Sequence, residues 1–442
     1  MPTSISERPV ELLQRLIQFD TTNPPGNEAE CAAYIRDLLV AAGCEPAVIE
    51  TAPSRANVVA RLRGEGRAPA VVLYGHMDVV TTQNQPWTCP PFEGRVADGF
   101  VWGRGALDMK GPLAMLLAAF LRAKAENLPL AGDVIFAAVA DEEDSGRFGM
   151  KHLVERRSEL FAGARYALGE FGGFNLTVAG RPFYAIMVSE KQFCSLRVTC
   201  RGRAGHGSMP LCGEAMARLS LALRRLDERP LPVHPTPATR VMIESLARHV
   251  PAPVGLVLRQ LLNPRLSGRV LGVLGPVAQP FNAVLRNTVS PTIVHGGDKI
   301  NVIPAEVAVE LDGRMVPGFA PEAFVAEVQR VVGPCGEVAV TSADPGPTAP
   351  DMGWFDTLGE ILSATDPGSR AVPIVLPGVT DARFLCKLGI QTYGYTPMRL
   401  PPGMDFVSSI HSADERLPVE ALDFGTRAIY AALQRMPVSK SL

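Results

Sequence analysis

Two patterns of hydrophobic and polar positions follow one another along the chain. The first consists of short apolar runs, typical of strands that are buried on both faces, at Val71–Tyr74, Val134–Ala140 and Tyr166–Leu168. Amphipathic helices are predicted around these runs at Glu11–Phe19 and Glu28–Ala42, and a helix rich in Ala and Leu is predicted at Pro112–Lys124. Strands that alternate with helices predict an α/β domain built on a mixed, largely parallel sheet.

The second pattern begins near Ser189. Apolar and polar residues alternate in Phe193–Cys200 and in Ala305–Arg314, as expected for half-buried strands. Helices are predicted at Glu214–Leu226 and Pro321–Val332, and a further strand at Gly336–Thr341. We interpret this region as a smaller α+β domain inserted into the first domain. The predicted domains are therefore 1–188 with 346–442, and 189–345.

Composition and charge restrict the classes of function. The chain of 442 residues is 47% hydrophobic and 20% charged, as in globular proteins, and its length suits two or three domains. Its net charge of −2 gives no electrostatic reason to expect a nucleic-acid or acidic-surface partner. No apolar run reaches the roughly 20 residues of a membrane span, and the start of the chain lacks an export-signal pattern. We therefore expect a cytoplasmic protein with no nucleic-acid or membrane partner.

Cysteine spacing adds little to this picture. The eight cysteines include no pair separated by two residues, the spacing typical of a structural zinc site or a redox motif. We expect buried, free thiols.

Acidic residues and histidines at the ends of predicted strands carry the candidate chemistry. Ligands bind at the carboxyl ends of strands in open α/β sheets, and these ends or the following loops hold His76, Asp78, Asp108, Glu142, Glu143 and Glu170, with His411 later. Imidazoles and carboxylates without thiolates suit zinc, cobalt or manganese in a catalytic site. Each residue also has a plain structural explanation: Asp108 could cap a helix, and the adjacent glutamates could be a solvated pair.

The order of several short motifs decides between these explanations. The motifs are Gly75-His76-Met77-Asp78-Val79-Val80, Gly103-Arg104-Gly105-Ala106-Leu107-Asp108-Met109-Lys110-Gly111, Asp141-Glu142-Glu143, Gly205-His206-Gly207-Ser208, Asn301-Val302-Ile303-Pro304 and Thr380-Asp381-Ala382-Arg383, followed by His411. Together they resemble the dinuclear-zinc amidohydrolases and exopeptidases, the family of acetylornithine deacetylase, succinyl-diaminopimelate desuccinylase, aminoacylase, carboxypeptidase S and glutamate carboxypeptidase. The resemblance covers nearly the whole chain. It implies a zinc-exopeptidase-like catalytic domain with an inserted lid and dimerisation domain.

The resemblance implies two zinc ions, for which cobalt or manganese are alternatives. One ion would be held by His76, Asp108 and Glu170, and the other by Asp108, Glu143 and His411, with Asp108 bridging. Asp78 would fix the tautomer of the His76 imidazole. Glu142 would take a proton from the metal-bridging water and deliver it to the leaving amine. A cis peptide is expected after the bridging residue, between Asp108 and Met109.

The inserted domain is expected to contribute to the same reaction. The resemblance makes His206 a stabiliser of the oxyanion, which in dimeric members of the family reaches the partner subunit's active site, so we expect a homodimer formed through the lid domain. Substrate-binding positions are implied at Asn301, Arg314, Gly378, Thr380 and Arg383. Arg314 suits a free carboxylate because its guanidinium is planar and can bind in a bidentate manner.

Two departures from the family pattern bear on the substrate. Glutamate at position 170, in Gly169-Glu170-Phe171-Gly172-Gly173, favours acyl-amino-acid or carboxypeptidase chemistry over dipeptidases and aminopeptidases. The proline-rich, apolar stretch 231–289 is longer than in the short bacterial deacylases. It resembles the long forms, such as carboxypeptidase S and the enzymes that act on N-fatty-acyl amino acids. This stretch is either additional core or a dimer interface, or it forms the wall of a pocket for an apolar acyl group.

The sequence therefore predicts a zinc-dependent hydrolase of an amide bond in an N-acyl amino acid or small peptide with a free carboxylate. A dipeptidase or carboxypeptidase is the nearest alternative. A metal-binding protein without catalytic activity is a further one, although the presence of Glu142 argues against it.

Overall fold

The chain folds into two compact units. The computed structural model describes residues 5–178 and 180–438, without the side chains of residues 276 and 277. The first unit contains residues 1–188, 351–374 and 380–442, and the second contains residues 189–350 and 375–379. The predicted boundary after residue 188 coincides with the observed division. The chain returns to the first unit at 351 rather than at 346, and Gly378 belongs to the second unit.

A mixed sheet of nine strands forms the centre of the first unit. Its strands lie in the order Ala47–Ala52, Arg55–Leu62, Val134–Val139, Ala70–His76, Ala164–Gly169, Gln391–Gly394, Arg181–Glu190 and Arg370–Leu376, with Asn175–Val178 paired to Arg181–Glu190. Parallel pairing is found among the four central strands, Val134–Val139, Ala70–His76, Ala164–Gly169 and Gln391–Gly394. The flanking pairs next to them are antiparallel. The predicted mixed α/β fold is confirmed, with the parallel pairing confined to the centre.

The parallel centre explains where the site forms. Strands Ala70–His76 and Val134–Val139 are buried at every position, as their continuous apolar sequences predict. Both strands, and Ala164–Gly169 beside them, run in the same direction, so their carboxyl ends lie at one edge of the sheet. Residues that follow these strands in the sequence are therefore brought together in space.

Helices cover this sheet. In the first unit they are Pro9–Ile17, Ala29–Ala41, Lys110–Ala125, Met150–Arg156, Phe355–Thr365, Ala382–Leu385, Phe406–Ser409 and Val419–Gln434, with 3₁₀ turns at Ile5–Glu7, Ser158–Phe161 and Cys386–Leu388. Helix Lys110–Ala125 is buried almost throughout and packs on strand Ala70–His76 and on helix Val419–Gln434. A small sheet of Arg95–Ala97, Phe100–Trp102 and Arg416–Pro418 completes the unit.

The second unit is an antiparallel sheet with helices. Its four strands lie in the order Thr288–His295, Glu306–Met315, Gln192–Arg201 and Glu337–Ala343, and a separate pair joins Gly205–His206 to Val302–Ile303. Helices Ala215–Glu228 and Pro321–Val332 pack against this sheet and against each other, with a 3₁₀ turn at Gly333–Cys335. The alternating strands and both helices agree with the sequence prediction to within a few residues.

The stretch 231–289, which the sequence pattern left unassigned, is largely helical. Its helices are Pro237–His249, Ala252–Gln260, Ser267–Leu274 and Gln279–Leu285, with a 3₁₀ turn at Gly275–Ala278. Three of these helices have a proline at the first or second position. A backbone N–H at these positions has no hydrogen-bond partner within the helix, so a proline there, which lacks the N–H, removes no helical hydrogen bond.

All eight cysteines are free, and five of them are buried; Cys44 and Cys386 are half-buried, and Cys212 is exposed. Among the residues that the structure describes, no helix has both the length and the apolar character needed to cross a membrane.

Candidate active site

Three predicted ligands converge at the edge of the central sheet. His76 is the last residue of its strand, and its Nε2 atom lies 3.2 Å from Oδ1 of Asp108 and 3.5 Å from Oε2 of Glu170. His76 and Glu170 are buried. The expected cis peptide is present between Asp108 and Met109. These three side chains are close enough together for one metal ion to contact all of them.

A second set of side chains shares Asp108 with the first. The Nε2 atom of His411 lies 3.2 Å from Oδ2 of Asp108 and 3.3 Å from Oε2 of Glu143. His411 follows the short helix Phe406–Ser409 and has a φ of +61°, and its side chain is 48% exposed. The two oxygens of Asp108 thus face one set each, which is the arrangement expected of a bridging carboxylate.

Glu142 lies beside these sets without belonging to either. Its Oε2 atom is 3.9 Å from Nε2 of His76, and its side chain is 11% exposed. Burial, followed by repulsion from Glu170, raises the pKa of Glu142 well above its ordinary value. A raised proton affinity suits a carboxyl group that must accept and donate a proton in turn.

Asp78 contributes to this site, but its carboxylate does not orient His76 as the sequence predicted. The Nδ1 atom of His76 is 2.9 Å from the backbone oxygen of Asp78 but 3.6 Å from its carboxylate, which is too long for a hydrogen bond. The backbone carbonyl, rather than the predicted carboxylate, therefore orients the imidazole. The Asp78 carboxylate accepts the backbone N–H groups of Glu142 and Glu143, both at 3.1 Å, and so positions those two residues.

An asparagine from the start of the chain connects two of these acids. The Nδ2 atom of Asn23 donates to Asp78 at 2.8 Å and to Asp141 at 3.0 Å. Asp141 has a φ of +67° and also accepts a hydrogen bond from Arg55 at 3.0 Å, and Arg55 in turn pairs with the buried Glu28. This network fixes the turn that carries Glu142.

A buried ion pair holds the loops of Asp108 and His411 together. Arg104 donates to Glu415 at 2.8 Å, and both side chains are almost completely buried. Glu415 also accepts the backbone N–H groups of Gly105, Leu107 and Asp108, at 3.1, 2.7 and 3.0 Å. Arg104 also donates to the backbone oxygen of Ser412 at 3.1 Å, in the loop that carries His411.

The electrostatics of the site fit divalent cations. Although burial disfavours the imidazolium form, Asp108 and Glu170 raise the pKa of His76 well above its usual value. Hydrogen bonds to Asp108 and Glu143 raise the pKa of His411 to about 10. Burial, followed by repulsion from Asp108, raises the pKa of Glu143 to about 7. Crowded carboxylates of this kind are stabilised when cations neutralise them.

Two unpaired oxygens support the same conclusion. Oε1 of Glu143 and Oε1 of Glu170 are buried and have no hydrogen-bond partner among the residues described. A buried carboxylate oxygen without a partner is costly unless something absent from the protein chain satisfies it. The donor set of two imidazoles and three carboxylates fits two ions of the zinc, cobalt or manganese class.

The segment Thr380–Arg383, which runs into helix Ala382–Leu385, brings an unexpected carboxylate to the first unit's site. Asp381 is fully buried, and neither of its carboxylate oxygens has a hydrogen-bond partner within the described part of the chain. Burial, followed by repulsion from Glu170, raises the pKa of Asp381 to about 8. Thr380 is buried, and its hydroxyl accepts the N–H of Ala382 at 3.1 Å. The Nε atom of Arg383 is also buried without a partner.

The other predicted residues lie in the second unit. His206 is exposed, its Nδ1 atom is 2.7 Å from the hydroxyl of Ser208, and its strand pairs with Val302, next to Asn301. Arg314 already makes two hydrogen bonds to Asp312, at 2.7 and 3.1 Å, so a substrate carboxylate would have to share this guanidinium. Gly378 lies in the segment 375–379.

Sequence reasoning missed Asn23, Arg55, Arg104, Asp381 and Glu415. Arg104 and Asp381 stand inside motifs that were identified, so polar residues next to predicted ligands were an available signal. The other three residues stand in no motif, and only the folded structure connects them to the site.

Comparison with known proteins agrees with this geometry. The profile of peptidase family M20/M25/M40 matches residues 72–435. The N-fatty-acyl-amino acid synthase/hydrolase of Homo sapiens is 28% identical over 375 residues, which cover 82% of this chain and 73% of that protein. Aminoacylase-1 of Sus scrofa is 27% identical over 424 residues, which cover 92% of this chain and 90% of that protein.

The fold is also found among solved structures. A metallo-carboxypeptidase of family M20 from Sulfolobus solfataricus superposes with a TM-score of 0.68 at 16% sequence identity, covering 97% of this chain and 99% of that chain. At this level of identity the likeness concerns the fold.

Proposed function

We propose that the chain, which belongs to peptidase family M20/M25/M40 and is a metal-dependent amidohydrolase, uses two zinc ions to cleave an N-acyl amino acid whose carboxylate is free. Cobalt or manganese are alternative ions for the same ligands. The observation that carries the proposal is the pair of ligand sets that share Asp108, with Glu142 beside them and outside both.

His76, Asp108 and Glu170 would hold one ion, and Asp108, Glu143 and His411 would hold the other. Two divalent ions in such a site lower the pKa of water and polarise a carbonyl group. Glu142 accepts the proton released when water adds to the amide carbon. It then donates that proton to the amine as the C–N bond breaks.

The intact Glu142 also argues against a metal-binding protein without activity. A buried carboxyl group that is kept out of both ligand sets has no use in a site that only binds ions. The backbone bonds from Glu142 and Glu143 to Asp78 hold this base in place relative to the ligands.

Recognition of the substrate carboxylate is proposed for Arg383. Arg383 lies in the short helix that follows Asp381, whose charge interacts with Glu170, and its buried Nε has no partner in the described residues. Arg314, the residue favoured by the sequence, is occupied by Asp312. Thr380, Gly378 and Asn301 remain proposed contacts to the rest of the substrate.

His206 is proposed to stabilise the oxyanion, in a homodimer formed through the second unit. A mixture of the inactive variants Glu142→Gln and His206→Ala tests both parts. If His206 acts on the partner subunit's site, mixed dimers contain one site with both groups intact, and activity returns in part. Lack of recovery despite demonstrated subunit exchange would place His206 in its own subunit's site or outside catalysis.

An apolar acyl group is proposed for the substrate. The similar human protein is an N-fatty-acyl-amino acid synthase/hydrolase, and glutamate at position 170 favours the same chemistry. A dipeptidase or carboxypeptidase remains the second candidate, because a probable carboxypeptidase S-like protein of Dictyostelium discoideum is 25% identical over 374 residues.

A panel of substrates tests the proposal. N-acyl amino acids that vary in both halves, their methyl esters and dipeptides would be assayed with the chain reconstituted with zinc and, separately, with cobalt. We expect activity on N-acyl amino acids that depends on added metal and falls when the carboxylate is esterified. Faster turnover of dipeptides would favour the second candidate, and no metal-dependent turnover of any substrate would contradict both.

A cytoplasmic location is also proposed. It is supported by the eight free cysteines, since disulfides are rare in a reducing compartment.

A further inference from the structure

One segment of the chain, residues 231–289, carries an excess of positive charge although the whole chain is slightly negative. Residues 231–289 contain six arginines, one glutamate and no lysine or aspartate, giving +5 within a chain of net charge −2. The overall charge of the chain therefore does not exclude an acidic-surface partner for this segment, because partners respond to local charge.

Three of these arginines line one cavity. The cavity has a volume of about 470 Å³ and is bounded by Arg240, Glu244, Arg248, Arg259, Leu262 and Asn263. Arg240 and Glu244 form only a long ion pair of 3.7 Å on the surface of their helix. The side chains of Arg248 and Arg259 have no hydrogen bond or ion pair with the described residues, so two guanidinium groups are available to an anion.

The helix next to this cavity presents apolar side chains to solvent. Helix Ala252–Gln260 contacts helix Pro237–His249, and Gly255 allows the close approach, since a Cβ atom there would lie 2.5 Å from the backbone oxygen of Ala247. Its other face is exposed: Leu256 is 59% exposed, and Val254 and Val257 about 40%. Arg259 belongs to the same helix, so apolar and cationic groups lie side by side.

We propose that the arginine-lined cavity and helix Ala252–Gln260 bind the surface of an anionic phospholipid membrane. The guanidinium groups of Arg248 and Arg259 would bind lipid phosphates, and Leu256 and Val257 would enter the boundary between headgroups and acyl chains. Basic residues combined with exposed apolar residues on a surface helix are the features of interfacial membrane binding. The inference is independent of the proposed reaction.

A lipid surface explains both features better than the other anionic partners. Nucleic acid would use the arginines, but proteins that bind single strands also supply aromatic rings, and residues 231–280 contain no Phe, Tyr or Trp. A small free anion would use the arginines and leave Leu256 and Val257 without a role. A second copy of the chain would bring a second set of arginines to the same surface.

Vesicle binding by the full-length, metal-loaded chain tests the proposal. The chain would be sedimented with vesicles of phosphatidylcholine alone, or of phosphatidylcholine with about 30% phosphatidylserine. We expect binding only to the anionic vesicles, and weaker binding when the salt concentration is raised from about 0.1 M to about 0.5 M. No binding of the unaltered chain to anionic vesicles would overturn the proposal, and binding to inorganic phosphate without vesicle binding would show a free-anion site instead.

Two double variants separate the contributions. Arg248→Glu with Arg259→Glu should weaken vesicle binding by at least about 25-fold, since each arginine near the surface contributes about fivefold. Leu256→Gln with Val257→Gln should weaken binding without changing its dependence on salt. The matched control is Arg95→Glu with Arg156→Glu, which makes the same charge change at two exposed arginines of the first unit.

The vesicle-binding results of the test and control variants either support or contradict the proposal. Loss of binding in both test variants, with retention in the control, supports the proposal. Equal loss in the control, or full retention in Arg248→Glu with Arg259→Glu, contradicts it. A change of sedimentation coefficient in the Leu256→Gln, Val257→Gln variant without vesicle binding by the unaltered chain would identify a contact between copies instead. Turnover of a water-soluble N-acetyl amino acid is expected to remain normal in every variant, so failure here is distinct from failure of the proposed reaction.

Discussion

Arg104 and Glu415 are 311 residues apart in the chain, and their side chains meet at 2.8 Å in the interior of the first unit. Each of them also bonds to the backbone of a loop that carries a candidate ligand. Glu415 accepts the N–H of Asp108, and Arg104 donates to the oxygen of Ser412, next to His411. The ion pair therefore holds together the loops of two candidate ligands, Asp108 and His411, which lie far apart in the sequence.

Removal of this charge should affect both stability and metal binding. In Glu415→Gln, the Arg104 guanidinium remains buried without its charged partner, which typically lowers the free energy of unfolding by about 3–5 kcal/mol. The metal set that contains Asp108 and His411 should be lost before the set that contains Glu170. Urea unfolding and metal analysis measure the two effects.

A control for this prediction uses an exposed ion pair. Glu360 pairs with Arg435 on the surface, where Glu360 is 64% exposed. Glu360→Gln should change stability by less than about 1 kcal/mol and leave metal content unaltered. Similar behaviour of the two variants would show that the buried pair does not position the ligands.

Removal of the shared ligand should cost more metal than removal of an unshared one. Asp108→Ala takes an oxygen from both sets, whereas His76→Ala takes a nitrogen from one. Elemental analysis after dialysis should find less metal in Asp108→Ala than in His76→Ala. Full metal content in Asp108→Ala would mean that the ions bind elsewhere.

Glu142→Gln isolates the proposed base. Glutamine preserves the size of the side chain but cannot accept a proton, so we expect turnover to fall by roughly 10³-fold or more with both metals retained. Glu155→Gln, at an exposed position of the same unit, should retain activity. Turnover near normal in Glu142→Gln would remove Glu142 from the mechanism.

Lys191 should make stability depend on pH. It is buried and donates hydrogen bonds to the backbone oxygen of Arg286 and the hydroxyl of Thr288, and burial, followed by repulsion from Arg314, lowers its pKa to about 7 despite the attraction of Asp312. Above that pH the folded chain releases a proton that the unfolded chain keeps until about pH 10.5, so unfolding takes up a proton and stability rises with pH in this window.

Comparison with Lys191→Met tests this sign. Between about pH 7 and pH 10, the free energy of unfolding of the unaltered chain should rise relative to the variant, by at most about 1.4 kcal/mol per pH unit. Below about pH 7 the difference between the two should be constant. Parallel curves across the whole range would show that Lys191 titrates normally in the folded chain.

The length of the acyl chain tests the proposed pocket. Each buried CH₂ group contributes about 0.8 kcal/mol, or close to fourfold. If residues of 231–289 other than Arg248, Leu256, Val257 and Arg259 line the acyl site, kcat/KM should rise by a few-fold per carbon from N-acetyl towards medium chains on one amino acid. Best activity on the acetyl substrate would discard the acyl pocket and leave the metal chemistry unaffected.

Four of the candidate ligands could be predicted from the sequence because each follows a strand or stands in a motif, whereas His411 is implied by the family resemblance alone. Their convergence follows from parallel strands ending at one edge, as for His76 and Glu170. The role of the Asp78 carboxylate could not be predicted in this way. Its partners are backbone N–H groups some 65 residues away, and every residue except proline carries such a group.

The proline-rich, apolar pattern of 231–289 leaves its helices unassigned, although one of them has a clear local signal. In Thr236-Pro237-Ala238-Thr239 the threonine caps the helix and the proline occupies its first position, so the same residues begin a helix. Local sequence contained this signal. The contact of Arg104 with Glu415 had no local signal, because it depends on how the two ends of the first unit fold together.

The insertion of the second unit also fixes an order of events during synthesis. Once residues 1–188 have left the ribosome, His76, Asp108 and Glu170, which form one complete candidate ligand set, are all available, but only Asp108 and Glu143 of the other set. His411 follows Glu170 by 241 residues, and the whole second unit is translated between them. The first candidate set is therefore fully synthesised long before the second, and the second set is complete only when nearly the whole chain has been made.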